Sequence, residues 1–312
     1  MSENIMNESK DETSLDQPHI AHRFGMVAIV GRPNVGKSTL LNAMVGEHLS
    51  ITSKKPQTTR HRILGVHTAP DYQIAFVDTP GFQTRHTGAL NRVMNRTVTQ
   101  AISGVEAAVF VVEAGKWTPA DAQVAALLPA DLPKIVVMNK SDLAGDVVKL
   151  MPFAQKIAAL VPALAYIPVS AEKNRQVEDV IAQLVKLLPE EPAQYAEDDM
   201  TDRSERFLAA ERIREKVFRL VGDEIPFGTA VEIEQWEDTP TLKKIYAAVV
   251  VEREGHKGII LGDGGLRMRR ISSEARQDLE KLFDCKIYLE VWIKVRGGWR
   301  DNEAALRSLG YE

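Results

Sequence analysis

Cysteine is nearly missing from this chain. Cys285 stands alone among 312 residues, so no internal disulfide can form and the composition fits a reducing compartment. Long apolar runs are missing too: no stretch of about 18 apolar residues is present, so no helix is expected to span a bilayer. The N-terminal residues lack the apolar core of a secretory signal. Charge of one sign is equally scarce, the net balance being −4. Most of that imbalance falls in residues 1–20, where Glu3, Glu8, Asp11, Glu12 and Asp16 face a single base, Lys10. That stretch reads as a solvated, disordered acidic tail. The near-neutral remainder neither demands nor excludes nucleic acid. Internal repeats and low-complexity tracts are not visible. What is present is apolar material, 44% of residues, enough for a sizeable core and, at this length, about two domains.

The apolar material is arranged rhythmically. Strand-like runs at 26–30, 63–67, 73–78, 107–113, 134–139 and 165–170 alternate with helical spacing, ending in a helix expected over 177–188. Several runs are almost continuous in Val, Ile and Ala, as strands covered on both faces require. Residues 21–188 are therefore expected to form an α/β domain with a doubly wound, mostly parallel sheet. The stretch PEEPAQYAEDDMTD, 189–202, carries two prolines and six acids and reads as a linker. A second, α+β domain is expected over 203–297: a helix at 203–221, strands at 229–236 and 244–252, a glycine-rich turn, a helix to about 283 and a strand at 286–295. Residues 298–312 are left as a tail.

Chemistry enters at GRPNVGKS, residues 31–38, immediately after the first strand. In the pattern G-x-x-x-x-G-K-[ST] the glycines let several backbone N–H groups turn inward around phosphates. The lysine reaches the β and γ phosphates, and the hydroxyl binds magnesium. The segment offers Gly31, Arg32, Pro33, Asn34, Val35, Gly36, Lys37 and Ser38, with Thr39 opening a helix whose dipole favours the same anions. The third strand ends in Asp78, Thr79, Pro80 and Gly81, followed by Phe82. Asp78 can hold magnesium through water, and the Gly81 N–H can approach a γ-phosphate. After the fifth strand come Asn139, Lys140, Ser141 and Asp142. A carboxylate at Asp142 can accept the paired N1–H and N2 amine of guanine, whereas adenine would leave it unpaired. Asn139 is expected on the N7 or O6 side and Lys140 over the ring. Ser170 and Ala171, after the sixth strand, could offer the Ala171 N–H to O6. Each motif alone has a bland reading as a strand-end turn or helix cap; their order along the chain points to a guanine nucleotide.

Over residues 25–188 this constellation resembles the translation-factor-related GTPases. The resemblance implies that a threonine in ITSKKPQTTRHR, 51–62, completes the magnesium shell. Thr59 takes that role, with Thr58 as the alternative. Lys37, Thr59 and Gly81 would then carry catalysis, and Ser38, Thr59 and Asp78 the metal. Where signalling relatives place a water-orienting glutamine, this chain has Phe82, so slow intrinsic turnover is expected. Asn34 matches the asparagine with which potassium-stimulated relatives hold a monovalent ion, implying K+ as a second cofactor beside Mg2+ with GTP or GDP.

In the second domain, Gly262, Asp263, Gly264 and Gly265 form a G-x-x-G turn opening a helix with an apolar stripe of Leu266, Ile271, Ala275, Leu279 and Leu282. Such a turn can clamp a nucleic-acid backbone, with Arg267, Arg269 and Arg270 beside it and Ile260 and Leu261 meeting splayed bases. Residues 253–300 hold eleven bases against seven acids. The order α-β-β-α-α-β resembles a type II KH fold. Together with QTTRHR and the ending KVRGGWRDNEAALRSLGYE, the chain resembles the Era family of bacterial GTPases. That resemblance implies binding to the 3′ region of 16S rRNA, a role in 30S subunit assembly, a cytoplasmic and monomeric protein, and peripheral attachment to the inner membrane. Asp263 departs from the family, where a lysine is common at that place, and an acid facing phosphate should weaken the clamp. Readings kept open are a nucleotide-gated switch docking protein or membrane, a GTPase of tRNA modification, and, least favoured, an ATPase.

Overall fold

The computed structural model describes residues 22–53, 55, 58–82, 88–145, 147–222 and 225–311. The acidic stretch 1–20 lies outside the described residues. The first domain holds strands β1 (Arg23–Val30), β2 (Ile63–Ala69), β3 (Tyr72–Asp78), β4 (Ala107–Glu113), β5 (Lys134–Asn139) and β6 (Ala165–Val169). Its helices are α1 (Lys37–Val45), α2 (Ala89–Ile102), α3 (Pro119–Ala125), α4 (Met151–Leu160) and α5 (Val177–Val185). The last ends three residues before the expected 188, in a turn that closes onto β1.

The sheet order is β2-β3-β1-β4-β5-β6. All neighbours are parallel except β2 against β3. Alternation along β1 explains its continuous apolar run. Val27 and Ile29 pack with Leu40 and Leu41 of α1 and Val180, Ile181 and Leu184 of α5. Ala28 and Val30 pack on the opposite face with Val98 of α2, Val124 of α3 and Ile157 of α4. Because β1 lies between β3 and β4, strand order reverses there, and the chain after β1, β3, β5 and β6 emerges along one edge. That edge is where open α/β sheets bind ligands.

The second domain has α6 (Glu205–Leu220), β7 (Thr229–Asp238), β8 (Leu242–Val251), α7 (Glu254–Leu261), α8 (Leu266–Leu282) and β9 (Lys286–Val295). This is the expected α-β-β-α-α-β order. β8 pairs antiparallel with β7 and parallel with β9. One face of the sheet packs Ala247, Val249 and Val251 against Ile213 and Val217 of α6, Ile260 of α7 and Ile271 and Ala275 of α8.

Two segments behave otherwise than their composition suggests. The acidic stretch after α5 is tied down: Gln73, fully buried, accepts from the Gln194 and Tyr195 N–H groups (2.9 and 3.0 Å). The Val66 N–H donates to the Met200 carbonyl at 2.9 Å. Residues 298–311 are no loose tail either. Trp299 is completely buried and, with α9 (Glu303–Ser308) and Tyr311, fills the wedge between Ala230 and Val250 of the second sheet and Ala89, Leu90 and Met94 of α2. Length and charge could not show this, because the apolar surfaces being covered belong to two other elements.

Candidate functional site

At the edge where strand order reverses, the backbone after β1 curls into a left-handed turn, with Asn34 at φ 65° and Gly36 at φ 95°. Gly36 is required twice over. Its φ lies where side chains are strained, and a Cβ there would fall 2.3 Å from Asn139 Nδ2. The turn is also braced from outside. Asn139 Nδ2 donates to the Val35 carbonyl (2.8 Å), while its Oδ1 accepts from the Ala171 N–H (3.1 Å). Lys140 Nζ donates to the Asn34 carbonyl at 2.6 Å. Arg32 reaches Glu113 (2.7 Å) and the buried Asp121 (3.2 Å).

Three groups expected around the base also hold protein here. The Asn139 side chain is a strut joining the 31–36 turn to the 170–171 turn. The Ala171 N–H, expected to face O6, is engaged by that strut. Lys140 holds the neighbouring loop through its ammonium. The motif spacing is compatible with both roles; which group meets which was decided by how closely the two turns approach.

Below the turn, oxygens converge. Ser38 Oγ lies 2.6 Å from Thr59 Oγ1 and donates to Asp78 Oδ2 at 2.7 Å. Ser50 Oγ donates to the same Asp78 oxygen at 2.9 Å. The other oxygen, Asp78 Oδ1, is buried without a hydrogen-bond partner among the described residues. A hydroxyl–hydroxyl–carboxylate set suits a hard cation such as magnesium, and the orphaned Oδ1 fits a group held through water. The threonine facing Ser38 is Thr59; the Thr58 hydroxyl instead donates to the Lys55 carbonyl at 2.6 Å. Ser50 was missed by motif reading. Its position depends on Asn42, whose side chain bonds the Leu49 and Ser50 N–H groups and the Ser50 carbonyl.

Charge is poised in the same place. Burial lowers the Lys37 pKa to about 8, against the pull of the nearby Asp78 carboxylate. Burial raises the Asp78 pKa, while Lys37, Ser38 and Ser50 act the other way. Both ions are therefore short of counter-charge, which a phosphate and a cation would provide. Gly81 sits against Pro33 so closely that a Cβ would lie 2.8 Å from the Pro33 Cα, bringing its backbone onto the cradle. Thr79 is spent on the scaffold, its hydroxyl donating to the Ile29 carbonyl at 2.9 Å. Pro80 and Ser141 are buried beside it and in the 141–143 turn, respectively. Phe82 packs on the apolar cluster that holds Val30 and Phe110.

At the other end of the cleft, Asp142 Oδ1 accepts from Ser170 Oγ at 2.7 Å, and Lys173 lies 3.4 Å from the second oxygen. The Ser170 hydrogen bond, aided by Lys173, holds this carboxyl below the usual range. It is ionised at neutral pH, as an acceptor for paired N–H donors must be.

In the second domain the GDGG turn joins α7 to α8. Gly262, Gly264 and Gly265 all take positive φ (69°, 52° and 76°). Asp263, Arg269 and Arg270 are exposed, Arg270 pairing with Glu274 at 2.7 Å. Arg267 donates to the Ile259 carbonyl. The expected base-facing apolar pair is corrected: Ile260 is fully buried in the core and Leu261 is half-buried, whereas Ile259 and Leu266 are exposed. The α8 stripe accordingly starts at Met268. Leu266, five residues before Ile271, lies about 140° around the helix from it.

A mostly parallel sheet whose edge gathers the 31–36 turn, the Ser38, Thr59 and Asp78 oxygens and the ionised Asp142, followed by a KH fold, defines a P-loop GTPase with an appended KH domain. The family model described as 50S ribosome-binding GTPase matches residues 26–140, and the KH domain model matches 224–300. The chain is 56% identical over 292 residues to GTPase Era of Bordetella avium, covering 94% of this chain and 99% of that one. It is 51% identical to GTPase Era of Nitrosomonas eutropha, covering 93% and 98%. A variant of Aquifex aeolicus Era bound to GDP·AlF4− superposes with TM-score 0.90 at 36% identity, covering 93% and 99%. An Era structure in complex with MgGDPNP and nucleotides 1506–1542 of 16S rRNA also gives 0.90, at 37% identity and the same coverage. The chain belongs to the Era family of GTPases.

Proposed function

We propose that the chain is a guanine-nucleotide switch whose nucleotide state governs binding to the 3′ region of 16S rRNA during 30S subunit assembly. The observation carrying this reading is the convergence of Lys37, Ser38, Thr59 and Asp78 at one end of a cleft closed at the other by Asp142. Lys37 and the N–H groups of 31–39 bind the phosphates; Ser38 and Thr59 ligate magnesium, and Asp78 holds it through water. Magnesium, when bound, neutralises charge building on the phosphates. Gly81 presents its N–H to the γ-phosphate. Asp142 selects guanine, oriented by Ser170 and Lys173. Catalysis is electrostatic and positional, and with Phe82 unable to orient a water the intrinsic rate is low.

The KH turn supports the RNA assignment, as does the relative seen with MgGDPNP and a 16S fragment. Four glycine-turn residues, Gly262 to Gly265, bind the backbone. Arg267, Arg269 and Arg270 supply charge, and the exposed Ile259 and Leu266 replace Ile260 as apolar neighbours of the bases. K+ at Asn34, a cytoplasmic monomer and peripheral membrane attachment belong to the same proposal. For the last, no helix among the described residues is long and apolar enough to cross a membrane, so attachment would be at the surface. The deciding experiment is hydrolysis of GTP against ATP, with and without 30S subunits, in sodium and potassium buffers. GTP-selective turnover that rises with subunits supports the reading; equal use of both nucleotides overturns it. Binding to a 16S 3′-end oligonucleotide that survives Gly264→Asp would remove the RNA role from the KH turn.

A further inference from the structure

The segment carrying Thr59 is held almost entirely by the other domain. On one side of Thr59, the Thr58 carbonyl accepts from Arg214 Nη2 of α6 at 2.5 Å. Arg214 is itself 1% exposed and locked to Glu211 by two 2.7 Å hydrogen bonds. On the other side, the Arg60 guanidinium, also 1% exposed, donates to the Thr229 carbonyl (2.7 Å), the Phe227 carbonyl (3.0 Å) and the Tyr311 hydroxyl (3.3 Å). His61 is stacked on Tyr311 at 4.5 Å between ring centroids and meets the edge of Phe207 at 5.1 Å. Earlier in the segment, Thr52 bonds Glu215 through its N–H and hydroxyl (3.2 and 3.3 Å), and Lys55 Nζ donates to the Phe218 carbonyl at 2.7 Å. Between these anchors, the Thr59 hydroxyl points back to Ser38.

We propose that Arg214 and Tyr311 are positioning residues for GTP binding, holding residues 58–61 so that the Thr59 hydroxyl stays over the magnesium site. The inference rests on the reading of Thr59 as a magnesium ligand. Its physical basis is the cost of the alternative. Swinging the segment outward would strip buried guanidinium hydrogen bonds from both arginines, each worth more than a neutral one. The second domain thus biases the segment toward the arrangement that GTP needs. Linkage makes the bias mutual: nucleotide that engages Thr59 tightens the contact with α6 and Tyr311, and a ligand that shifts α6 or the C-terminal segment loosens Thr59. Arg214 and Tyr311 touch neither phosphate nor metal in this scheme; they act through Thr58, Arg60 and His61.

The test uses the full chain and fluorescent GDP and a non-hydrolysable GTP analogue, titrated over a range of magnesium concentrations. Three variants probe the clamp: Tyr311→Ala, Tyr311→Phe, and Arg214→Met combined with Glu211→Leu, the last so that Glu211 is not left buried without Arg214. The expected result is GDP affinity within about twofold of the parent and GTP-analogue affinity reduced about tenfold for Tyr311→Ala and the double variant, roughly 1.4 kcal/mol. Tyr311→Phe, which retains the stack on His61, should recover most of the loss. In a Thr59→Ala background, adding Tyr311→Ala should change nothing further. Parallel loss of GDP and GTP affinity, an unchanged ratio in folded variants, or additive losses with Thr59→Ala would each overturn the inference. If Thr59→Ala by itself leaves the GTP-to-GDP ratio intact, the magnesium reading fails, and the clamp inference with it; additivity breaks only the clamp.

Discussion

Two glycine turns open helices in this protein, and they are built to opposite specifications. The first, before α1, is walled in: Asn139 and Lys140 brace it from neighbouring loops, its own Arg32 is tied to Asp121, and the space where a Gly36 Cβ would sit is occupied by the Asn139 side chain. The second, before α8, is open at its tip, past Gly262, which packs on Arg267. Nothing lies within 4 Å of a Cβ built on Gly264 or Gly265, so glycine is required there by backbone angle alone. A small, densely charged ligand is gripped from all sides and needs a rigid enclosure. A polymer passing over a surface needs a turn that projects, with exposed arginines beside it.

The largest expected effect tests the enclosed turn. Gly36→Ala combines left-handed strain of about 1–2 kcal/mol with loss of the Asn139 strut, about 1–3 kcal/mol. Fluorescent GDP titration should show affinity reduced by roughly a hundredfold or more. Asn139→Ala removes the strut without the strain and should cost about tenfold by the same titration. An effect under twofold would mean the bracing is incidental. Gly264→Ala meets only strain, about 1 kcal/mol, so binding to a 16S 3′-end oligonucleotide should weaken about fivefold with nucleotide affinity untouched. If Gly264→Ala were as damaging as Gly36→Ala, the contrast between the turns would collapse. Arg269→Ala should cost a few-fold and lower the salt dependence of RNA binding by about one ion.

The smallest effect concerns the domain junction. Burial opposes ionisation of Glu215, but the His48 hydrogen bond, the charges of His48 and Arg219 and the Thr52 N–H outweigh it, placing its pKa at about 2 against 4.5 ordinarily. A depressed carboxylate stabilises the fold fully above pH 4.5, and the contribution is lost as pH falls toward 2. Between pH 5 and 4 this one group removes up to about 1 kcal/mol. Urea unfolding midpoints should therefore fall less steeply over that interval in Glu215→Gln than in the parent.

The first domain was legible to a high degree. Strands buried on both faces announce themselves as continuous apolar runs, and Gly31 to Ser38, Asp78 to Gly81 and Asn139 to Asp142 sit at successive strand ends where the sheet topology brings them together. Ser50 was not legible, because its approach to Asp78 depends on Asn42 and carries no fixed spacing. Nor was the orientation of Ile260: a helix of eight residues next to a glycine turn leaves its apolar face ambiguous between Ile259 and Ile260, and packing on β8 and α6 decided it.

α6 marks the boundary between the two kinds of information. Its charged residues Glu211, Arg212, Arg214, Glu215 and Lys216 are all buried: Arg214 and Glu215 meet the segment around Thr59, Arg212 meets His48, and Lys216 pairs with Asp278 of α8. Sequence by itself determined the nucleotide chemistry and the identity of both folds, since local spacing fixes which groups a turn or strand end presents. How the domains meet was decided only by the tertiary structure, since burial of a charge depends on a partner distant in the chain. Arg214 against Thr58 and Tyr311 against Arg60 join residues 156 and 251 positions apart, a relation that no local pattern encodes.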